Sequence, residues 1–340
     1  MQTTRQWQID AVGPDSKLKI GEARIPEVSG TMIRVRTQAV SLNFRDRLVL
    51  ESGMGLPLQF PFVPASDMAG VVEAVGPDVT RFKPGDRVIS TFSPDWIDGR
   101  GLGNARTPPY VTRGGVYPGV LSEHTVLSEE WFTLAPDTLD AAEASTLPCA
   151  GLTAWFALIE CGKLKAGDRV VVQGTGGVAL FGLQIAKAHG AEVFITSGST
   201  EKLERTLALG ADHLINRNER DWVEQLYELT DDYGADHILE IVGGPHLGQA
   251  LKAVAINGRI SVIGVFEGFE VSGPVAPLLL KAPVVQGISV GHRRALEDLV
   301  RAVDRTGLKP VIDRRYAFEE LPQALDHLYR GPFGKVVIEF

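Results

Sequence analysis

The spacing of apolar and polar positions divides the chain into two textures. From Arg5 to about Pro136, short apolar and β-branched runs alternate with Gly/Pro turns, as at Met32–Val40, Gly70–Val75, Asp86–Thr91 and Ser122–Val126. That spacing predicts a compact β-rich domain. Within it, Ser93–Gly119 is a long irregular piece rich in Gly, Pro and Arg. Loops of that length are usually functional or mobile. Its Trp96, Tyr110 and Tyr117 either wall a pocket or anchor the loop to its own domain.

After about Asp137 apolar strands alternate with amphipathic helices. The strands are Arg169–Gln173, Glu192–Thr196, His213–Ile215, His237–Ile241, Arg259–Gly264 and Val284–Ser289; the helices include Gly182–His189, Glu201–Leu209 and Trp222–Leu229. In the last of these, Val223, Leu226 and Tyr227 share one face. Continuous apolar strands separated by helices predict an α/β architecture, a parallel sheet covered on both sides. Six strands in this order match the doubly wound dinucleotide fold. The tail returns to β-like sequence at Val311–Phe318 and Lys335–Phe340, around a helix near Glu319–Tyr329.

Composition narrows the classes. A length of 340 residues suggests two domains, and 44% hydrophobic residues suffice for full cores. The formal net charge is −8 and no Lys/Arg tract occurs, which argues against a nucleic-acid partner. Cys149 and Cys161 are the only cysteines, too few for a disulfide framework or a cysteine-rich zinc site. Met1–Asp10 is polar and lacks the apolar core of a secretory signal. Val170–Ala188 is broken by glycines and carries Gln173, Gln184 and Lys187, so it reads as a buried strand-turn-helix, not a membrane span. A reducing cytoplasm is the expected compartment.

The sharpest motif is Gln173-Gly-Thr-Gly-Gly-Val-Ala179, a G-x-G-x-x-A pattern between a predicted strand and a predicted helix. Gly174 allows a sharp turn, Gly176 a close backbone approach to a pyrophosphate, and the small Ala179 tight helix–sheet packing. Thr175, Gly177 and Val178 complete a turn whose amides face phosphate at a helix N-terminus. An NAD site wants a carboxylate about 20 residues on, but the second strand ends Thr196-Ser-Gly-Ser-Thr200. Ser197 and Ser199 offer hydrogen bonds, and Lys202 and Arg217 positive charge, to a 2′-phosphate; for the two bases plain surface solvation is the competing reading. This favours NADP(H) over NAD(H). Val242-Gly243 and Gly264-Val265-Phe266 follow the fourth and fifth strands, and Ile288-Ser289-Val290 ends the last. Ligands of this fold bind at carboxyl ends of strands, so these segments are expected to line the nicotinamide end, the glycines being otherwise turn residues.

Four ordered motifs carry a family resemblance: Ala39-Val-Ser-Leu-Asn43-Phe-Arg-Asp46, Pro61-Phe-Val-Pro-Ala-Ser66-Asp67-Met-Ala-Gly70, Leu147-Pro-Cys-Ala-Gly-Leu-Thr153-Ala-Trp, and Gly174-Thr-Gly-Gly-Val178. With the closing Phe333-Gly-Lys-Val-Val337 they span nearly the whole chain. The sequence resembles the medium-chain dehydrogenase/reductase superfamily, in its zinc-free alcohol dehydrogenase-like and quinone oxidoreductase-like branch. The resemblance implies a GroES-like catalytic domain, residues 1–136 completed by 309–340, and a Rossmann domain over 137–308, with the active site between them.

By the same resemblance, Asn43, Phe44 and Arg45 face the nicotinamide ribose and substrate, and Asp46 either moves a proton or holds structure. Thr153, Phe333 and Lys335 reach the cofactor, and Pro283–Val290 forms a homodimer edge. Zinc-dependent members carry Cys, His and Cys in the first three motifs. Here the first two positions are Asn43 and Ser66, and only Cys149 remains. A zinc ion needs about three protein ligands, and nothing in the spacing assembles Asp46, Asp67 and His124 around it. No metal is therefore expected. Ser66 and Asp67 bind substrate or water there, or Asp67 is a supporting residue; Cys149 reads as a small buried hydrophobe.

The chemistry that follows is NADP(H)-dependent hydride transfer to a small carbonyl, quinone or enone without catalytic zinc. One alternative is an NADPH-binding redox sensor or structural protein without turnover. A further alternative is a zinc-dependent alcohol dehydrogenase.

Overall fold

A computed structural model describes every residue except Met1, Asp15, Pro108 and Pro109. The two prolines belong to the Ser93–Gly119 loop, so that part of the expected pocket wall lies outside the described residues. In chain order the first elements are β1 Thr3–Gln8, β2 Lys19–Arg24, β3 Met32–Leu42, α1 Phe44–Ser52, β4 Asp67–Val75, β5 Arg87–Ser90, β6 His124–Ser128, β7 Phe132–Leu134 and α2 Ala141–Ala144. Then come α3 Leu152–Trp155, β8 Arg169–Gln173, α4 Gly177–Ala188, β9 Glu192–Ser197, α5 Thr200–Leu207, β10 His213–Asn216, α6 Trp222–Thr230, β11 Ala235–Glu240, α7 His246–Ala253 and β12 Val254–Val262. The chain closes with α8 Val275–Lys281, β13 Val284–Gly287, α9 Arg293–Thr306, β14 Ile312–Ala317, α10 Leu321–Tyr329 and β15 Lys335–Glu339. No helix among the described residues is long and apolar enough to cross a membrane.

The chain folds as two compact units, Met1–Leu152 with Gly291–Phe340, and Thr153–Val290. These divisions differ from the boundaries expected at 136/137 and 308/309. The reason is α9. Leu296, Leu299, Val300 and Val303 fall on one face and are buried, the i, i+3, i+4, i+7 stripe of a helix against a core. Its polar face is tied to the first unit: Arg293 pairs with Glu130, Glu297 accepts from Arg81 at 3.2 Å, and Asp304 accepts from Thr138 Oγ1 at 2.8 Å. Such ties join residues far apart in sequence, so local texture does not reveal them.

In the first unit the larger sheet runs β14-β15-β3-β4-β5-β7, with β6 also on β3. β3 is its spine. One end of it matters most for chemistry: Leu42 pairs with Val336 of β15 and Ser41 with Asp67 of β4. This register brings Asn43, Asp67 and Lys335 to the same edge. The core beneath combines Val40, Leu42, Met68, Val72, Val336 and Ile338.

The second unit holds six parallel strands in the order β10-β9-β8-β11-β12-β13. This is the predicted doubly wound sheet, with Val171, Phe194, Ile238 and Ile260 in its core. Helix α4 starts at Gly177, not at Gly182 as expected. Burial of Ala179, Leu180 and Leu183 outweighs the helix penalty of about 1 kcal/mol for a glycine. Gly182 lies inside the helix because a Cβ there would meet Leu239 Cδ1 at 2.5 Å.

Candidate active site and dinucleotide-binding turn

In the second unit, β8 ends at Gln173 and Gly174 turns the chain at φ +83°, its N–H donating to Thr196 O at 2.6 Å. Gly176 then caps α4 without a side-chain cap hydrogen bond. A Cβ added at Gly176 would meet no atom within 4 Å, so its neighbours do not demand a glycine there. Gln173 Oε1 is buried close by without a hydrogen-bond partner. Free amides, a helix dipole and open space suit a diphosphate. Thr175 is buried, and Gly177 and Val178 are half-buried.

At the end of β9 the two serines are arranged around the next turn. Ser197 Oγ accepts from Ser199 N at 3.2 Å, Ser199 Oγ caps α5, and Arg217 N donates to Ser197 O at 3.1 Å. The Ser197–Thr200 turn carries no carboxylate, Arg217 is exposed and Lys202 is half-buried in α5. Beyond β11 and β12, a Cβ on Gly243 would meet Gly264 O at 2.6 Å and one on Gly264 would meet Ile241 O at 1.6 Å. Close backbone approach therefore requires both glycines. Val242, Ile288 and Val290 are buried, Val265 is half-buried, and Ser289 and Phe266 are exposed. Thr153 is buried in α3.

Sequence reasoning missed Glu240. Its carboxylate is fully buried and accepts from Val242 N at 3.0 Å and Gly243 N at 2.9 Å, and burial pushes its pKa up. It holds the loop that follows β11. A lone acid inside the apolar run His237–Ile241 was the available signal.

The first unit gathers the other candidates at the end of β3. Arg45 is buried, and its five N–H donors are all engaged. Nε donates to Tyr110 Oη at 3.2 Å; Nη1 to Arg113 O at 3.1 Å and Asp46 Oδ1 at 3.3 Å; Nη2 to Gly114 O at 3.0 Å and Thr112 Oγ1 at 3.4 Å. Arg45, expected to face the nicotinamide ribose and substrate, spends these donors stapling the loop to α1. Two of the loop's aromatics reach outside it: Tyr110 meets Arg45, and Tyr117 lies 4.7 Å from the Trp131 ring; Trp96 Nε1 donates within the loop, to Gly99 O at 3.0 Å.

Asp46 Oδ2 accepts from Asn43 N at 2.8 Å, capping α1. That favours its structural role. Ser66 Oγ donates to Asp67 Oδ1 at 2.6 Å, Cys149 N donates to Asp67 Oδ2 at 2.9 Å, and both Ser66 and Asp67 are wholly buried. Neither keeps accessible surface, which favours the reading of Asp67 as a supporting residue. Phe44 opens α1, with Arg47 6.0 Å from its ring, and Phe333 is buried.

Lys335, expected on the cofactor side, folds into this cluster. Its Nζ donates to Asn43 Oδ1 and to Leu42 O, each at 2.5 Å. Asn43 Nδ2 makes no hydrogen bond of ordinary geometry, yet its amide helps hold charge on Asp67. Burial dominates the electrostatics here. It pushes Asp67 up to about 6 against the opposing pull of Lys335, Ser66 and Asn43; it also raises Asp46 and Cys149 and lowers Lys335.

The three positions where zinc-dependent relatives carry ligands do not suit the metal. The amide oxygen of Asn43 already takes an ammonium, the Ser66 hydroxyl donates to Asp67, and the Cys149 thiol is disfavoured as thiolate. No group of three or more His, Cys, Asp or Glu could hold an ion among the described residues.

Asp67 gives stability a pH dependence of defined sign. Its folded pKa of about 6 lies above the unfolded value of about 3.9. Between these values the folded chain binds the extra proton, so stability falls as pH rises from about 4 to about 6 and then levels. The loss is on the order of 2–3 kcal/mol. Urea unfolding of the wild type against Asp67→Asn across that range should show the wild type losing ground. Parallel curves would remove this assignment.

Residues 29–137 match the alcohol dehydrogenase GroES-like domain family and residues 177–305 the zinc-binding dehydrogenase family. The chain is 35% identical, over 97% of each protein, to a zinc-type alcohol dehydrogenase-like protein of Schizosaccharomyces pombe. It is 26% identical to a quinone oxidoreductase of Rattus norvegicus, over 96% of this chain and 94% of that one. A crystal structure from Sinorhizobium meliloti 1021, provisionally described as an alcohol dehydrogenase, matches with a TM-score of 0.98 at 72% identity, covering 100% of this chain and 99% of that one.

Proposed function

Because this chain belongs to the medium-chain dehydrogenase/reductase superfamily, as an oxidoreductase of the alcohol dehydrogenase and quinone oxidoreductase type, we propose that it transfers hydride between NADP(H) and a small carbonyl, quinone or enone without catalytic zinc. The observation that carries this reading is the uncapped turn at Gly174–Gly177, heading a twelve-residue helix after the first strand of a doubly wound sheet. The carboxylate-free Ser197–Thr200 turn supports the phosphorylated dinucleotide.

When bound, the nicotinamide supplies the hydride. The amides of Gly177 and Val178 hold the diphosphate, and Ser197 and Ser199 donate to the 2′-phosphate. Glu240 fixes the Val242–Gly243 loop. In the first unit, Asp46 sets the start of α1 and Asp67 sets Cys149, which leaves Asn43 and Lys335 as the polar groups of this edge for substrate.

Paired fluorescence titrations with NADPH and NADH, followed by NADPH oxidation with aldehydes, ketones, quinones and enones, test the reading. NADPH should bind at least tenfold more tightly, with turnover in at least one class. Tighter NADH binding would overturn the 2′-phosphate assignment. Binding without turnover would favour a nucleotide sensor, and stoichiometric zinc that tracks activity would restore the metal.

The same reading includes a homodimer. β13 is an edge strand with Val284 and Val285 exposed, and Ile256, Val275, Leu279 and Leu280 of the same unit are more than half exposed. Apolar surface beside an open strand edge is covered most simply by a second copy. Sedimentation should give twice the chain mass, and Leu280→Asp should shift it toward monomer. A wild-type monomer at micromolar concentration would refute the dimer.

A further inference from the structure

Lys335 carries a buried ammonium that feels the charges of Asp67 and Asp46, yet the hydrogen bonds of its Nζ go to neither carboxylate. It is 4% exposed, and a buried charge is retained only when partners or function compensate desolvation. Among the described residues Lys335 forms no ion pair; its Nζ donates to two neutral oxygens, Asn43 Oδ1 and Leu42 O. An ammonium has three donors, so among the described residues one N–H remains beyond these two bonds. The other cation of this edge, Arg45, has none left.

Local structure aims the group. Lys335 opens β15, whose next residue pairs with Leu42, and α1 begins one residue after Asn43. Asn43 is thereby fixed between a capped helix and a strand end, with its amide oxygen toward Nζ. Asn43, Ser66 and Cys149, which by the resemblance match metal-ligand positions of zinc-dependent relatives, gather on the same edge with Asp67.

We infer that Lys335 is a catalytic residue whose free N–H binds the carbonyl oxygen of the substrate and supplies the positive charge that a catalytic metal would otherwise provide. This rests on the hydride-transfer reading above, and it narrows the substrates to compounds whose reduction builds negative charge on oxygen. In the step, the carbonyl carbon gains a hydride from reduced nicotinamide, and the π pair moves onto oxygen. Oxygen takes a proton from Lys335, leaving an alcohol, oxidised nicotinamide and a neutral amine that regains its proton from water. With an enone the hydride reaches the β-carbon, and the same ammonium faces the enolate oxygen. Burial lowers the proton affinity of Lys335, which eases that transfer.

Removal of one donor at a developing oxyanion typically lowers kcat by about 10²–10³. Steady-state assays with NADPH and an accepted carbonyl compound should show that loss for Lys335→Met. NADPH affinity by fluorescence titration should stay within about threefold, and Lys335→Ala should recover part of its kcat in added ethylamine. If Lys335→Met fails to fold, the double variant Lys335→Met/Asp67→Asn, which removes both buried charges, carries the comparison. Wild-type turnover matched by a folded variant lacking the ammonium overturns the inference and leaves the hydride-transfer reading intact. An unreactive wild type overturns both. Loss of kcat without any amine rescue reduces Lys335 to a structural charge and also overturns the catalytic role.

Discussion

Replacing Gly176 with alanine is expected to leave a folded protein that has lost its dinucleotide. The residue adopts φ −83°, where alanine is unstrained, and the added Cβ meets no atom within 4 Å. Thermal stability should therefore move by no more than about 1 kcal/mol, the scale of an N-cap change from glycine. On the proposed reading the open space serves the ligand, since the second glycine of this turn lets backbone approach a pyrophosphate. A methyl group there holds the diphosphate away from the α4 amides. Two charge-assisted hydrogen bonds at about 1.5–2 kcal/mol each amount to roughly a hundredfold or more in Kd. Titration with NADPH at matched melting temperature checks this. Unchanged affinity would show that the phosphates do not lie on this turn. Gly182→Ala provides the contrast, because its Cβ would meet Leu239 Cδ1 at 2.5 Å and force that side chain to shift, an effect on packing and not on the ligand.

The second large effect concerns which dinucleotide binds. Ser197→Asp restores a carboxylate at the end of β9, where Ser197 now holds the turn through Ser199 N. Against a 2′-phosphate about 5 Å away, repulsion at an effective dielectric of about 20 is about 3 kcal/mol per charge. NADPH affinity should fall by roughly a hundredfold or more. NADH should gain about tenfold, because the new acid accepts from a ribose hydroxyl. A ratio of the two dissociation constants that stays put would mean that the phosphate, if bound at all, sits elsewhere.

Both experiments probe the half of the molecule that was most legible. In the second unit all six strands were expected at their observed places to within a few residues, and the parallel order followed from their spacing. A parallel strand is buried on both faces, and a helix repeats every 3.6 residues; both signals lie inside a short window. Errors came where packing outweighs propensity. Gly177 and Val178 entered α4 because the residues after them bury on the sheet. Helices α1 and α9 escaped notice because charged residues dominate them: α1 begins Phe44-Arg-Asp-Arg, and α9 shows its apolar stripe only once aligned to a core.

The polar edge of the first unit was legible only as an inventory. Asn43, Asp46, Ser66, Asp67, Cys149 and Lys335 were all candidates from motif position, yet their roles came out rearranged. Arg45 holds a loop, Asp46 caps a helix, and Ser66 and Asp67 are sealed from solvent. Lys335 joined Asn43 across 292 positions because β15 and β4 flank β3 in a particular antiparallel register.

The sequence alone determined the two-part composition, the doubly wound sheet, the phosphate-type turn and the lack of a carboxylate after the second strand. Each depends on residues within a few turns of one another, where propensity and periodicity act. Tertiary structure alone decided where the units divide, which polar groups are buried, and which of their donors remain. Register and desolvation are properties of neighbours in space, and a buried charge is judged by partners that the linear order leaves hundreds of residues away.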